Sequence, residues 1–313
     1  MKKTILAISI ICALALTTTG CTAVSNTKDI STNTISEAQY KSIKKIDKLS
    51  TDSKLSAKTI LNQMNTSTSD LKEYLEGNHS QVEKDNLYAI YLNNMYIYND
   101  ILKANLELDT LNTYPQRERL SFKAKDLNFT YDNWQLYLDE RSSFDHGLIV
   151  MQYMGEGAFG PEFDMYYQAQ AFAKYLGKVW NNYLSIRSRE ALYLKDVAFS
   201  MYGPGDYTTV NMYELGNWIN CWSDFLVNNP SFYMNERIKK DLKMYVRYYI
   251  NPLQNEIDDS TALSKARQIE FEELLEILNK NSDVYKTLNS AYSILKSNGF
   301  KTNDNYRKFY NKL

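Results

Sequence analysis

The sequence predicts an all-α fold, an irregular helical bundle or array of about nine to ten helices around an aromatic-rich core. Three observations carry that expectation. Glycine and proline are scarce, at 11 and 5 in 313 residues, so a loop-rich all-β or α/β architecture lacks its turn residues. Apolar residues recur at three- and four-residue spacing over long stretches. Alternating runs of β-branched residues are absent, and only Leu148 to Tyr153 has the composition of a strand.

The elements follow in order. From about Ala38, the positions Ile43, Ile46 and Leu49 share one helical face. A second helix ends with Leu71, Tyr74 and Leu75, and Gly77-Asn78 stops it. Val82 to Leu108 has the widest apolar stripe in the chain, built from Leu87, Ile90, Tyr91, Met95, Tyr98, Ile101 and Leu102. Tyr114-Pro115 breaks that pattern, and Asn128 to Arg141 reads as a helix with Trp134, Tyr137 and Leu138 on one side. Further helices are expected from near Phe163, from a cap at Thr208 or Thr209 to Val227, and from beyond Asn229-Pro230-Ser231 to Asn251-Pro252. The last three are Thr261 to Asn279, Asp283 to Leu295 and Asn303 to Tyr310. No repeat of fixed period is present.

The middle of the chain, residues 131–222, differs from its flanks. It holds all four tryptophans, Trp134, Trp180, Trp218 and Trp222, and 20 of the 42 aromatics. Eight of the 11 glycines lie between Gly147 and Gly216, where the chain must turn or something must approach the backbone. Gly155-Glu156-Gly157-Ala158-Phe159-Gly160 fits G-x-G-x-x-G and superficially resembles a dinucleotide fingerprint or a protein-kinase glycine loop. A kinase's lysine strand and catalytic aspartate loop are missing, and so is an acid at a strand end about 20 residues on. A turn that redirects the chain is the expectation, with no nucleotide and no cofactor.

The N-terminus is an address. Lys2 and Lys3 precede a 12-residue apolar run, Ile5 to Leu16, and then the small residues Thr17 to Gly20. The run is shorter than the roughly 20 residues a spanning helix needs. Thr18-Thr19-Gly20-Cys21 resembles the lipobox of bacterial lipoproteins at Gly20 and Cys21, although Thr18 stands where leucine is usual. The resemblance covers residues 1–21 only. It implies a signal peptide over 1–20, lipidation of Cys21, and a diacylglyceryl anchor holding the mature chain to the outside of the cell membrane. Residues 21–37 are rich in Ser, Thr and Asn and read as a flexible tether, the sixteen residues after Cys21 reaching about 20–25 Å. Residues 38–313 then form a single helical domain. The abundance of Asn, Lys, Ile and Tyr fits a low-GC bacterium.

The function classes narrow accordingly. The mature chain from Cys21 has 34 basic and 37 acidic residues, a balance that gives no footprint for nucleic acid. With Cys12 in the signal and Cys21 lipidated, Cys221 is the one remaining thiol, so no internal disulfide is available. Two histidines, His79 and His146, and no H-E-x-x-H argue against a metal site. Trp134, Trp180, Tyr183, Arg187 and Trp218 are the candidate ligand-binding residues, because aromatic faces stack on sugar C–H surfaces while Tyr and Arg bond hydroxyls or carboxylates. The same residues suit a polar and aromatic network between packed helices. Trp218 and Trp222, four apart, are expected in the core with their indole N–H groups paired. The leading expectation is a non-catalytic binding or structural envelope lipoprotein, its ligand an envelope polysaccharide, a peptide or another envelope protein. One alternative is a carbohydrate-cleaving enzyme, a glycosidase or polysaccharide lyase, with Glu156, Glu162 and Asp164 as acid/base candidates. The Asn-Asn-His signature of some all-α lyases is not met, since Tyr183 follows Asn181-Asn182. Another alternative is a protein–protein scaffold of the envelope.

Overall fold

The computed structural model describes residues 41–43, 57–110, 149–155, 158–197 and 210–313. Within them the protein is helical, with nine α-helices, short 3-10 turns and one β-hairpin. The expected helix over Asn128 to Arg141 lies outside the described residues, as do Ile46 and Leu49 of the first expected helix.

Helix α1 (Ala57–Glu76) and helix α2 (Gln81–Thr110) form a helical hairpin across a four-residue connection. The α1 stripe Ile60, Met64, Leu71, Tyr74 and Leu75 is fully inside, at the three- and four-residue spacing that puts side chains on one face. Ser80 and Glu83 close a reciprocal capping box at the start of α2. The Glu83 carboxylate accepts from Ser80 N at 2.9 Å and Glu83 N donates to Ser80 Oγ at 3.3 Å. Between Asn86 and Ile101, α2 is buried on nearly every side, so it is the central post of the fold rather than a surface helix.

The glycine motif sits in a hairpin. Strand β1 (Ile149–Gly155) pairs antiparallel with β2 (Ala158–Phe163), with Ile149 opposite Phe163, Gln152 opposite Gly160 and a bulge between Tyr153 and Gly155. Pro161 is tolerated because a two-stranded ribbon leaves each strand one unpaired edge. Redirection of the chain and a helix beginning near Phe163 were expected here, and the helix starts two residues later. Phe163 ends β2, and α3 (Met165–Phe172) starts behind the cap Asp164.

A 3-10 turn, Ala173–Tyr175, leads into α4 (Lys178–Val197). Gly177 between them has a local reason. Its N–H donates to the Asp85 carboxylate of α2 at 2.8 Å, and a Cβ there would come within 2.5 Å of Asp85 Oδ2. Helix α5 (Met212–Asn228) is capped by Asn211, not by Thr208 or Thr209 as expected: the Asn211 amide oxygen accepts from Glu214 N at 2.8 Å. Helix α6 (Asn235–Tyr249) packs back on α5. Helix α7 (Lys265–Ile277) begins four residues later than Thr261, because Asp258 accepts from Ser260 N and Thr261 N at 2.7 and 2.6 Å and holds that stretch as a loop. Ser264 then caps α7. Helix α8 (Asp283–Ser297) ends at Gly299, whose φ of +64° is the left-handed conformation that glycine adopts without strain. Helix α9 (Asp304–Tyr310), capped by Asn303, closes the chain, with Tyr306 Oη donating to Ile250 O at 2.7 Å.

The core is aromatic, as expected. Tyr183 is ringed by Trp180, Trp222, Phe225 and Phe232, with centroids 5.3–6.2 Å away. A second series, Tyr249–Phe271–Tyr292–Phe300, links α6, α7 and α8 edge to face. Among the described residues no helix is long and apolar enough to cross a membrane.

Candidate functional site

The inner face of α4 carries Trp180, Tyr183, Arg187 and Glu190 at three- and four-residue intervals, so all four point the same way. That way is inward. Trp180 packs its edge on Tyr88 and Phe232 at 5.0 and 4.6 Å. The Tyr183 hydroxyl meets that of Tyr96 on α2 at 3.1 Å. The Arg187 guanidinium lies over the Trp222 ring at 4.5 Å.

Below Tyr183 is a buried ionic cluster. Arg187 Nη1 donates to Glu190 Oε2 at 3.0 Å, and Nη2 donates to Asp241 Oδ2 on α6 at 2.5 Å. The other Glu190 oxygen accepts from Trp222 Nε1 at 2.5 Å and from Tyr245 Oη at 3.1 Å. The side chains of Arg187 and Glu190 retain only 8% and 6% of their surface, so both charges are out of water. One helical turn before Asp241, Arg237 stacks on the Tyr96 ring at 3.5 Å. The cluster therefore joins α4, α5 and α6 through charge-assisted bonds, and α2 is added by the stacking of Arg237 on Tyr96 and the Tyr96–Tyr183 hydroxyl pair.

The titration behaviour follows from burial. Desolvation pushes the Glu190 carboxyl up, and Arg187 and the Trp222 indole partly offset it. Burial alone would lower Arg187, but Glu190 and its neighbours hold the guanidinium well above its usual value. Tyr245 is raised by burial and by the adjacent Glu190 charge. Within the described residues, Arg187 Nε has no hydrogen-bond partner.

A second, neutral network adjoins it around Tyr88 and Tyr91 of α2. Gln168 of α3 accepts from Tyr88 Oη at 3.4 Å and donates to Tyr91 Oη at 3.3 Å, while Thr68 bonds Tyr91 Oη at 2.9 Å and donates to Met64 O. The bonds at Tyr88, Tyr91, Gln168 and the Thr68 hydroxyl tie α1, α2 and α3 together.

The sequence-chosen residues are placed as follows. Trp180, Tyr183, Arg187 and Trp218 are all buried, and each has internal partners; Trp218 Nε1 donates to Glu214 at 2.7 Å and packs against Tyr193 and Tyr245. The expected pairing of the Trp218 and Trp222 indoles is thus present. Asp164 is the N-cap of α3, accepting from Tyr166 N and Tyr167 N at 3.0 and 3.1 Å. Glu162 stands in β2 opposite Val150, with its side chain outside the described set. Cys21, Trp134 and Glu156 lie outside the described residues. Cys221 is a free, half-buried thiol whose ionisation burial pushes up, the opposite of an activated nucleophile. Among the described residues no group of three His, Cys, Asp or Glu could hold a metal ion.

Asp241, Tyr245, Arg237 and Tyr96 were not singled out by the sequence. The i, i+4 series Arg237, Asp241, Tyr245 on α6 was legible as one face, but its pairing with a helix about 50 residues earlier was not.

No family model, curated protein or solved structure matches this chain.

Proposed function

We propose that the chain is a lipid-anchored extracytoplasmic protein of a bacterial envelope whose helical body is a non-catalytic binding or structural module, with other envelope proteins as its partners. The observation that carries the reading is the inward commitment of the α4 face. Trp180, Tyr183, Arg187 and Glu190 are the groups best suited to a sugar or a charged ligand, and they are occupied by Tyr88, Tyr96, Trp222, Asp241 and Tyr245. Aromatic rings covered on both faces and a guanidinium already paired with two carboxylates hold helices in register. Asp164 likewise has its carboxylate on the α3 backbone, which suits a cap better than an acid/base role. A partner then meets the outside of the bundle, and the anchor at Cys21 concentrates it on one surface.

Two measurements test the reading. In a low-GC bacterial host, wild type is expected to incorporate radiolabelled palmitate and Cys21→Ser is not; equal labelling, or none in wild type, removes the anchor. Crosslinking in intact cells followed by purification is expected to recover defined envelope proteins with wild type. Shortening of envelope glycan chains on incubation with the soluble Cys21→Ser form would overturn the non-catalytic reading and favour the carbohydrate-cleaving alternative.

A further inference from the structure

Helix α6 buries one side and leaves the other to water. Ile238, Leu242, Tyr245, Val246 and Tyr249 face the core. Glu236, Lys239, Lys240 and Lys243 are exposed, and Arg247 is half-buried at the end of the same side. At 3.6 residues per turn these five fall within an arc of about 100°. The arc presents four cations and one acid. Glu236 pairs with Lys239 at 2.7 Å, in an exposed bridge that water screens. Asp241, the other acid of the helix, is turned inward onto Arg187. Among the described residues no ion pair engages Lys240 or Lys243. Arg247 lies over the Tyr310 ring at 5.0 Å, which holds the last cation in place. Charge is thus sorted by helix in a chain whose total nearly balances. Helix α6 carries five cations and two acids, while α7 carries two cations and four acids, with Glu272, Glu273 and Glu276 exposed.

We propose that this face of α6 is a docking surface for anionic phospholipid, so that the body lies with α6 against the membrane. Two properties of the face select that partner. Lys239 to Arg247 spans about 12 Å along the helix axis, more than the screening length of about 8 Å in physiological salt. The partner must therefore carry negative charge over an area rather than at one point. The arc also holds no aromatic or branched apolar side chain, so it offers a partner protein no anchor to bury. Lysines are point charges on flexible stems and read no fixed geometry. A layer of closely spaced phosphates meets both conditions, and each lysine near such a layer strengthens binding by about fivefold. The preference for anionic lipid belongs to the helix and stands without the anchor. The docked orientation rests on the lipid anchor proposed above, which keeps the body close enough for screened attraction to act.

The experiment has two arms. In the first, the soluble Cys21→Ser form is sedimented with vesicles of phosphatidylglycerol and phosphatidylcholine in equal parts, and with phosphatidylcholine alone. Binding is expected to the mixed vesicles only, and to vanish at about 0.5 M salt, where the screening length is about 4 Å. Combining Lys239→Gln, Lys240→Gln and Lys243→Gln is expected to weaken binding about a hundredfold. Glu236→Gln is expected to tighten it about fivefold, a gain that misfolding cannot produce. Lys265, Lys280 and Lys286 are exposed outside α6, and changing those three to glutamine instead is expected to leave binding as in the parent. Equal loss in that control, or a parent that binds no better when phosphatidylglycerol is present, would overturn the face. Tighter binding to polyglutamate than to the mixed vesicles at the same salt would overturn the lipid assignment in favour of an acidic polypeptide. In the second arm, the lipidated full chain on each kind of vesicle is treated briefly with acetic anhydride, and lysine acetylation is read by mass spectrometry. The ratio of Lys243 to Lys280 acetylation is expected to fall several-fold on mixed vesicles relative to phosphatidylcholine. An unchanged ratio would overturn the docked orientation. A lipidated chain that fails to stay on phosphatidylcholine vesicles overturns the anchor and the orientation with it, while the first arm still judges the face.

Discussion

Glu190→Ala is the perturbation that tests the ionic cluster most directly. Glu190 receives three donors, Arg187 Nη1, Trp222 Nε1 and Tyr245 Oη, from three helices. Truncation strands the indole and the phenol without acceptors and leaves Arg187 with Asp241 alone. Breaking a buried ion pair by removing one partner costs about 3–5 kcal/mol, because the remaining charge stays buried. That is a large share of a typical folding free energy of about 5–15 kcal/mol. Urea unfolding followed by far-ultraviolet circular dichroism and tryptophan fluorescence gives the number. Glu190→Gln keeps the shape and an acceptor for Trp222 and Tyr245, so it is expected to cost less, about 1.5–3 kcal/mol, the value of a charged hydrogen bond. Replacing both partners, as in Arg187→Met with Glu190→Leu, removes the buried charges together and is expected to recover at least half of the single-variant loss. Asp241 is then left on the partly exposed side, where water reaches it. A Glu190→Ala loss below about 1 kcal/mol, in the range of an exposed pair, would refute the argument that this cluster holds the helices.

Three further outcomes are expected. Because burial raises the Glu190 carboxyl, the folded state binds its proton more tightly than the unfolded chain. Between the ordinary value of 4.5 and the raised one, this group makes stability fall as pH rises, and Glu190→Gln should flatten that slope in pH-dependent unfolding. Asp258 has the opposite sign: hydrogen bonds from Ser260 and Thr261 lower it to about 2, so its contribution is present above 3.8 and is lost as pH falls toward 2, and Asp258→Asn should remove that acid-side loss. Gly177→Ala forces a Cβ to within 2.5 Å of the Asp85 carboxylate, and a melting curve should show a loss of about 1–3 kcal/mol, partly restored by Asp85→Ala.

The legible part of the fold is local. The Gly77-Asn78 stop, the α2 stripe and the starts of the last two helices near Asp283 and Asn303 could be read because they depend on residues within one or two turns. The start of α7 was misplaced for a local reason as well. Thr261 is as good a cap as Ser264 by residue type, but its own N–H is already held by Asp258. The described residues of the glycine motif lie at the paired ends of β1 and β2, and pairing partners are not encoded in glycine spacing.

Composition and periodicity by themselves determined that the body is helical and aromatic-cored, since apolar spacing and missing turn residues act residue by residue. They also put Tyr183 and Arg187, four residues apart, on one face of one helix. Only the tertiary structure decided what that face meets. Burial and long-range pairing depend on which helix packs opposite, and an arginine beside a carboxylate has the same sequence whether it awaits a ligand or, as with Asp241 and Tyr245 across α6, is already satisfied.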